Sequence, residues 1–490
     1  MLDLSVNEKQ RELNARLCAE KGIILPTYEQ MIDPEKIPAK TVAELANIER
    51  NDVHSRNLFR VTWRNEPVDA GGGFGGVNYL EIPGELTGVE ARIVGLVGKW
   101  FPTGAHKVGA AYSCLAPTLV TGRFDPRSHM AVWPSTGNYC RGGAYISRLL
   151  GCRSVAILPE EMSRERFEWL ERMADETIAT PGCESNVKEI FDKCRELETE
   201  RGADIFIFNQ FEEMGNHLWH HEVTGRAMER VLDEIMGPRE RFAGTCVSSG
   251  SAGTTASGEY LKSVFPEAKL AVSEAAQCPT LLENGFGGHR IEGIGDKHVP
   301  WIHNVKNTDM VIAVDDEHTM RLLRLFNEPV GRAYLAERGV PREFVDRLDV
   351  LGISGICNLL TAVKFAKYYE LAEEEVVMTV FTDSEAMYTS RLAELTAARG
   401  EYTRDDAVAD LELLRQVGTD MLLELRYVDR RRIHNLKYYT WVEQQGKTYD
   451  EINRQWYDRE YWRSLYRDRA RLDGLIDTFN EMVSSYAARG

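Results

Sequence analysis

Thr245-Cys246-Val247-Ser248-Ser249-Gly250-Ser251-Ala252-Gly253-Thr254-Thr255 passes from an apolar strand candidate, through small residues, into the helical pattern of Tyr260-Leu261-Lys262. A strand that hands over to a helix in this way is the unit of a parallel α/β sheet. The loop carries chemistry as well as shape. Small side chains let the backbone approach a phosphate closely, and the hydroxyls add donors. No GK[ST] follows, so this is not the lysine-bearing nucleotide loop. A purely structural turn is the competing reading, and phosphate binding stands somewhat ahead of it.

The same alternation extends outward in both directions. Ala131-Val132-Trp133, Val155-Ala156-Ile157-Leu158, Ile205-Phe206-Ile207-Phe208, Leu270-Ala271-Val272, Met310 to Val314 and Val376 to Phe381 are further strand candidates. After the second of these, Phe167, Leu170 and Met173 mark an amphipathic helix. From about residue 75 to about 395 this predicts βαβ units and a mostly parallel sheet buried on both faces.

Residues 1–75 are polar and mixed, with helical stretches over Glu8 to Ala19 and Val42 to Arg50, and end near the glycine-rich Gly71 to Gly76. Beyond 395 the strand signal stops. Trp462, Leu465, Leu472, Ile476, Phe479 and Val483 trace one face of a helix. The expected organisation is an N-terminal extension (1–75), a catalytic core of two lobes (76–395) and a helical C-terminal extension (396–490).

The 490 residues, 43% hydrophobic and 28% charged, suit a chain with a sizeable core. A formal charge of -17 argues against a general nucleic-acid surface, though not against a local site for a small anion. Nine cysteines are scattered singly, with no CxxC pair, as expected of reduced thiols in a cytoplasmic enzyme. The first eight residues are polar and acidic with no apolar segment behind them, and no apolar run approaches membrane-spanning length. No membrane partner is expected.

Three more stretches carry chemistry. Pro102-Thr103-Gly104-Ala105-His106-Lys107 is a tight glycine-containing turn that would hold a lysine still at a helix start, as a Schiff-base lysine requires. Alone it is weak, because most lysines are solvated. Ser135-Thr136-Gly137-Asn138 follows a strand and places hydroxyls and N–H groups where a carboxylate or phosphate oxygen can bind, or simply caps a helix. Val380-Phe381-Thr382-Asp383-Ser384 ends an apolar strand, and ligands of open parallel sheets sit beyond the carboxyl ends of strands.

Together and in this order, these stretches resemble the fold type II pyridoxal-phosphate enzymes, most closely the cysteine synthase family. Pro159 to Arg166, Thr180-Pro181-Gly182, Asn209-Gln210-Phe211, His289-Arg290-Ile291-Glu292-Gly293-Ile294-Gly295 and Gly352-Ile353-Ser354 are each similar to family segments. The lysine turn, with Thr103 and His106, looks closer to the tryptophan synthase β-subunit. The resemblance covers roughly residues 75–395. It implies a two-lobe α/β fold of the tryptophan synthase β type, with parallel-rich sheets and helical terminal extensions, and pyridoxal 5'-phosphate as cofactor.

It also implies roles. Lys107 would form the Schiff base and later move the substrate's α-proton. Asn138 would meet the cofactor's ring oxygen. Ser135, Thr136, Gly137 and Gln210 would hold the substrate carboxylate. Gly250, Ser251, Ala252, Gly253 and Thr254 would cradle the phosphate, and Ser384 would meet the pyridine nitrogen. A neutral hydroxyl there makes the ring a weaker electron sink than a carboxylate would. Loss of a β-substituent through an aminoacrylate is the chemistry so favoured. The expected activity is β-replacement on an activated serine-type or cysteine-like amino acid. The alternatives are a β-eliminating lyase of the desulfhydrase or ammonia-lyase type, and a non-catalytic regulatory protein on the same scaffold. The partners implied are a small amino-acid substrate and a second copy of the chain.

Departures from the family bear on the substrate. Tyr139 and Cys140 stand where Thr and Gly are usual, and Glu385-Ala386-Met387 replaces G-E-R. His217 and His221, spaced i and i+4, could pair on a metal, but no third ligand is evident and none is assigned. Arg430-Arg431-Arg432 reads as a solvated helix face or a subunit contact.

Overall fold

The computed structural model describes residues 1–489. Eleven strands form two sheets: β1 (Tyr79–Ile82), β2 (Arg92–Val97), β3 (Met130–Pro134), β4 (Ser154–Pro159), β5 (Glu176–Thr180), β6 (Ile205–Ile207), β7 (Arg241–Ser248), β8 (Lys269–Ala275), β9 (Met310–Val314), β10 (Glu375–Phe381) and β11 (Leu422–Glu424). The smaller lobe is built on a four-stranded sheet, β5-β4-β3-β6, with every pairing parallel. The larger lobe has seven strands, β1-β2-β10-β7-β8-β9-β11. Its five inner strands are parallel, and β1 and β11 close the edges antiparallel.

Successive side chains of a strand point to opposite faces, so a sheet covered on both sides needs apolar residues at every position. β10 meets this demand from Val376 to Phe381 except at Thr379, whose hydroxyl donates to the Cys246 carbonyl at 2.6 Å. Val376, Met378 and Val380 join one core cluster, and Val377 and Phe381 join the other. β4 splits likewise, with Val155 and Ile157 on one side and Ala156 and Leu158 on the other. Helix Ile353–Tyr368 packs on β7 to β10, and helix Thr255–Val264 on β7 and β8.

The terminal segments share the main core. Helix Glu8–Glu20 packs on the long helix Tyr461–Ala487, which buries Trp462, Leu465, Leu472, Ile476, Phe479 and Val483 in one stripe. Asn480 exchanges hydrogen bonds with the Leu25 backbone (3.0 and 2.8 Å), and Asp473 accepts from the Tyr28 N–H at 2.7 Å.

Three local readings change. The helix expected over Val42 to Arg50 lies at Ala39–Leu45 and ends in turns. A strand, β11, does occur beyond residue 395; at three residues on an edge it has no periodicity to read. Two of the three arginines at 430–432 tie the C-terminal segment to the core. Arg430 donates to the Thr308 carbonyl (2.6 Å) and Asp309 (2.8 Å), and Arg432 to the Leu281 and Leu282 carbonyls (2.8 and 3.0 Å). Among the described residues, no helix is long and apolar enough to cross a membrane.

Candidate active site

The two sheets face one cavity, lined among others by His106, Lys107, Ser135, Thr136, Asn138, Tyr139, Gln210, Gly250, Ser251, Ala252, Thr254, Asp296, Asn358 and Thr382. The cavity sits where the loops beyond β3, β7 and β10 converge, at the carboxyl ends of parallel strands.

Lys107 is delivered by the turn expected to hold it. Thr103 (φ 67°) and Gly104 (φ 74°) both adopt left-handed backbone, which a threonine keeps only when its surroundings impose it. The Asn51 side-chain oxygen accepts the Thr103 N–H at 2.8 Å and pins the turn. Lys107 then opens helix Lys107–Thr121. Its Nζ donates to Ser251 Oγ at 2.9 Å, and Asn216 Nδ2 donates to the same oxygen at 3.0 Å. Burial pushes the lysine's pKa down to about 8, against the charges of Asp296 and Glu184. His106 stays neutral, held well below the usual imidazole range by burial and then by the neighbouring lysine. Its Nε2 lies 3.3 Å from Thr382 Oγ1.

Beyond β7 the loop Gly250 to Thr254 spends none of its backbone N–H groups on another backbone carbonyl. Ala252 holds φ 61°, an unusual conformation for a residue with a Cβ. A Cβ on Gly250 would come 2.6 Å from the Gly293 carbonyl oxygen, so glycine is required for this approach. Donors left open at the start of a ten-residue helix form an anion cradle. An aldehyde-bearing phosphate ester fits here: the cradle takes the phosphate, and the amine at about pKa 8 faces it through Ser251.

Beyond β3, Ser135 Oγ accepts the Gly137 N–H at 3.0 Å, and Asn138 starts helix Asn138–Leu150. Gly137 (φ 149°) has no room for a Cβ beside the Arg166 guanidinium. Asn138 Nδ2 donates to Asp383 Oδ2 at 2.7 Å, and Asp383 also accepts from the Tyr388 hydroxyl at 2.7 Å. Arg166 links the lobes from within: it is fully buried, ion-paired with Glu292, 3.8 Å from Asp383, and donates to Tyr388 at 2.9 Å.

Of the residues singled out in the sequence, the fold brings Lys107, Ser135, Thr136, Asn138, Gln210, Gly250, Ser251, Ala252 and Thr254 to the cavity wall. Gly137 and Gly253 pack behind it, against Arg166 and against Asn216 with His220. Ser384 is buried, but Thr382 is the residue of that segment in the wall. β10 ends at Phe381, so strict alternation no longer applies at 382–384. Sequence reading missed Asp296 and Glu184, both buried. The only local signal was an acidic residue directly after the Gly293-Ile294-Gly295 turn. Tyr139 lines the wall and packs edge-on to Trp133 at 5.4 Å. His217 and His221 take part in the core instead: His217 bonds to the Ile302 carbonyl (2.9 Å), and His221 stacks on Tyr466 at 3.5 Å.

The family model described as pyridoxal-phosphate dependent enzyme matches residues 100–336. The chain is 28% identical over 290 residues to a probable cysteine synthase of Bacillus subtilis, covering 59% of this chain and 85% of that one. It is 24% identical over 340 residues to the cystathionine beta-synthase of Saccharomyces cerevisiae, covering 68% of this chain and 63% of that one. Among solved structures, a cysteine synthase of Entamoeba histolytica superposes with a TM-score of 0.56 at 20% identity, covering 70% of this chain and 94% of that chain.

Proposed function

From the match of residues 100–336 to the model of pyridoxal-phosphate dependent enzymes, we propose that Lys107 carries the cofactor and that the enzyme replaces the β-substituent of an activated serine-type or cysteine-like amino acid. When bound, the cofactor supplies an electron sink that makes the substrate's α-proton and β-substituent labile. The chain's own residues do the rest. The Gly250 to Thr254 loop holds the phosphate. Ser135, Thr136, Gly137 and Gln210 hold the substrate carboxylate. Asn138, oriented by Asp383, meets the ring oxygen. A hydroxyl beyond β10, assigned to Ser384 with Thr382 beside it, meets the ring nitrogen. The Lys107 amine, with its pKa near 8, moves the α-proton at neutral pH.

One observation supports this reading above the others: the low-pKa amine and the loop of open N–H groups share one cavity and meet through Ser251. The test is borohydride reduction of the holoenzyme followed by peptide mapping. The label is expected on Lys107, and Lys107→Ala should lose both label and turnover. A label on another lysine, or none, refutes the assignment. Elimination shares the path as far as departure of the β-substituent, so pyruvate released without any nucleophile would identify a lyase.

We also propose a core at 76–395 with extensions at 1–75 and 396–490, acting as a cytoplasmic homodimer. Nine free cysteines, eight of them buried, support a reducing compartment. The exposed Tyr427, Tyr439, Tyr449 and Tyr457 offer an apolar surface for a second copy. Analytical ultracentrifugation of a purely monomeric species would exclude the dimer.

A further inference from the structure

Two carboxylates have no work in this scheme. Asp296 lines the cavity and is 5% exposed, yet its Oδ2 has no hydrogen-bond partner. Glu184 is 1% exposed, and its Oε2 is likewise unpartnered. Burial pushes Glu184 up to about 7, against Arg166, the Thr136 hydroxyl, the Gly293 N–H and Lys107. Burial raises Asp296 well above the carboxylate range, and the charge of Glu184 raises it further. The two therefore feel each other, and both feel Lys107.

Their positions are built into the fold. Gly293 (φ 100°) and Gly295 (φ 80°) shape the turn that presents Asp296. His289 Nε2 donates to the Gly295 carbonyl at 2.7 Å, and Thr280 Oγ1 donates to the Asp296 carbonyl at 2.8 Å. The loop bearing Glu184 is tied by Ser185 Oγ donating to the Gly287 carbonyl at 2.7 Å.

Buried carboxylates without a cation are costly to keep charged, so this pair holds on to its protons until a cation reaches it. The cations that act on this pair are Arg166, toward Glu184 only, and Lys107, toward both. Arg166 is committed to Glu292 and Asp383. Lys107, by the proposed function on which this inference rests, is committed to the cofactor. The α-amine of the first substrate is spent in the same chemistry. The cation that would let the pair ionise belongs to what enters next.

We propose that Glu184 and Asp296 form a cation subsite that receives an ammonium or guanidinium group on the second substrate. The nucleophile is then a positively charged organic molecule, such as a cationic thiol, and not free sulfide.

Two probes of one shape test this on the holoenzyme. Methylguanidinium and methylurea differ in charge, and neither condenses readily with an aldehyde. Calorimetric titration should show methylguanidinium binding at least tenfold tighter, with the difference lost in Glu184→Gln and Asp296→Asn. Equal binding of the two by wild type, or a difference kept in both variants, overturns the subsite. As nucleophiles, thiocholine should exceed 2-mercaptoethanol at least tenfold in kcat/KM per thiolate in wild type, with the ratio falling toward one in the variants. An unchanged ratio overturns the proposal. Failure of the replacement reading looks different: neither thiol is consumed, while the preference for the cationic probe persists.

Discussion

Asn138 and Asp383 join the two lobes across the cavity: the Asn138 amide donates to the Asp383 carboxylate at 2.7 Å, from the first residue of a small-lobe helix to the chain beyond β10. Asp383 is wholly buried, and burial raises its pKa while Arg166, Asn138 and Tyr388 oppose the rise. The bond fixes which way the Asn138 amide points. Asp383→Asn keeps the shape and removes the charge-assisted acceptor, at a cost of roughly 1.5–3 kcal/mol. A lower urea midpoint and a changed cofactor absorbance are expected together. A drop in stability with an unaltered cofactor spectrum would refute the orienting role.

Arg166 should be the more damaging position. It pairs with Glu292 and meets Asp383 and Tyr388 with no exposed surface. Arg166→Met leaves two carboxylates buried short of a cation, which costs about 3–5 kcal/mol. Arg391 still serves Glu292 at 2.6 Å, so the loss should fall at the lower end. A wild-type unfolding midpoint for the variant would contradict this.

Strands covered on both faces were legible because they must be almost wholly apolar, as in Val376 to Phe381, where Thr379 is the one polar residue. β2 was harder. Gly95 interrupts it, and that glycine is dictated by the Phe381 ring on the neighbouring strand, a partner far away in sequence. β5 escaped because it is a mostly half-buried edge strand starting with Glu176 and Thr177. At the site, Lys107 and the loops at 135–138 and 250–254 were legible because their chemistry is local. Glu184 and Asp296 gain meaning only from burial beside Lys107, which no local pattern encodes.

Gly250→Ala probes the anion cradle. Its Cβ would stand 2.6 Å from the Gly293 carbonyl oxygen, so the loop must shift. Cofactor affinity should fall roughly tenfold, about 1.4 kcal/mol, in spectrophotometric titration. Pyridoxal lacking the phosphate should bind the variant as it binds wild type. Equal losses for both forms would mean that the loop does not hold the phosphate.

Glu184 should be visible in the pH dependence of stability. Its folded pKa is about 7 against an ordinary 4.5. Between these values the folded chain holds a proton that the unfolded chain has released, so stability from this group is present at low pH and lost as pH rises toward 7. Glu184→Gln has no such proton. The stability of wild type relative to the variant should decline between pH 4.5 and 7, then level off. A flat difference across that window would disprove a raised pKa.

The pairing of helix Glu8–Glu20 with helix Tyr461–Ala487 has a consequence for biosynthesis. Leu4, Ala15, Cys18 and Leu25 are sealed into the core along with Leu472, Ile476 and Phe479, which emerge from the ribosome more than four hundred residues later. Helix Glu8–Glu20 therefore waits, greasy side open, for a helix made more than four hundred residues after it. A nascent or prematurely terminated chain lacking residues 461–487 would carry every catalytic loop and still be a client for chaperones.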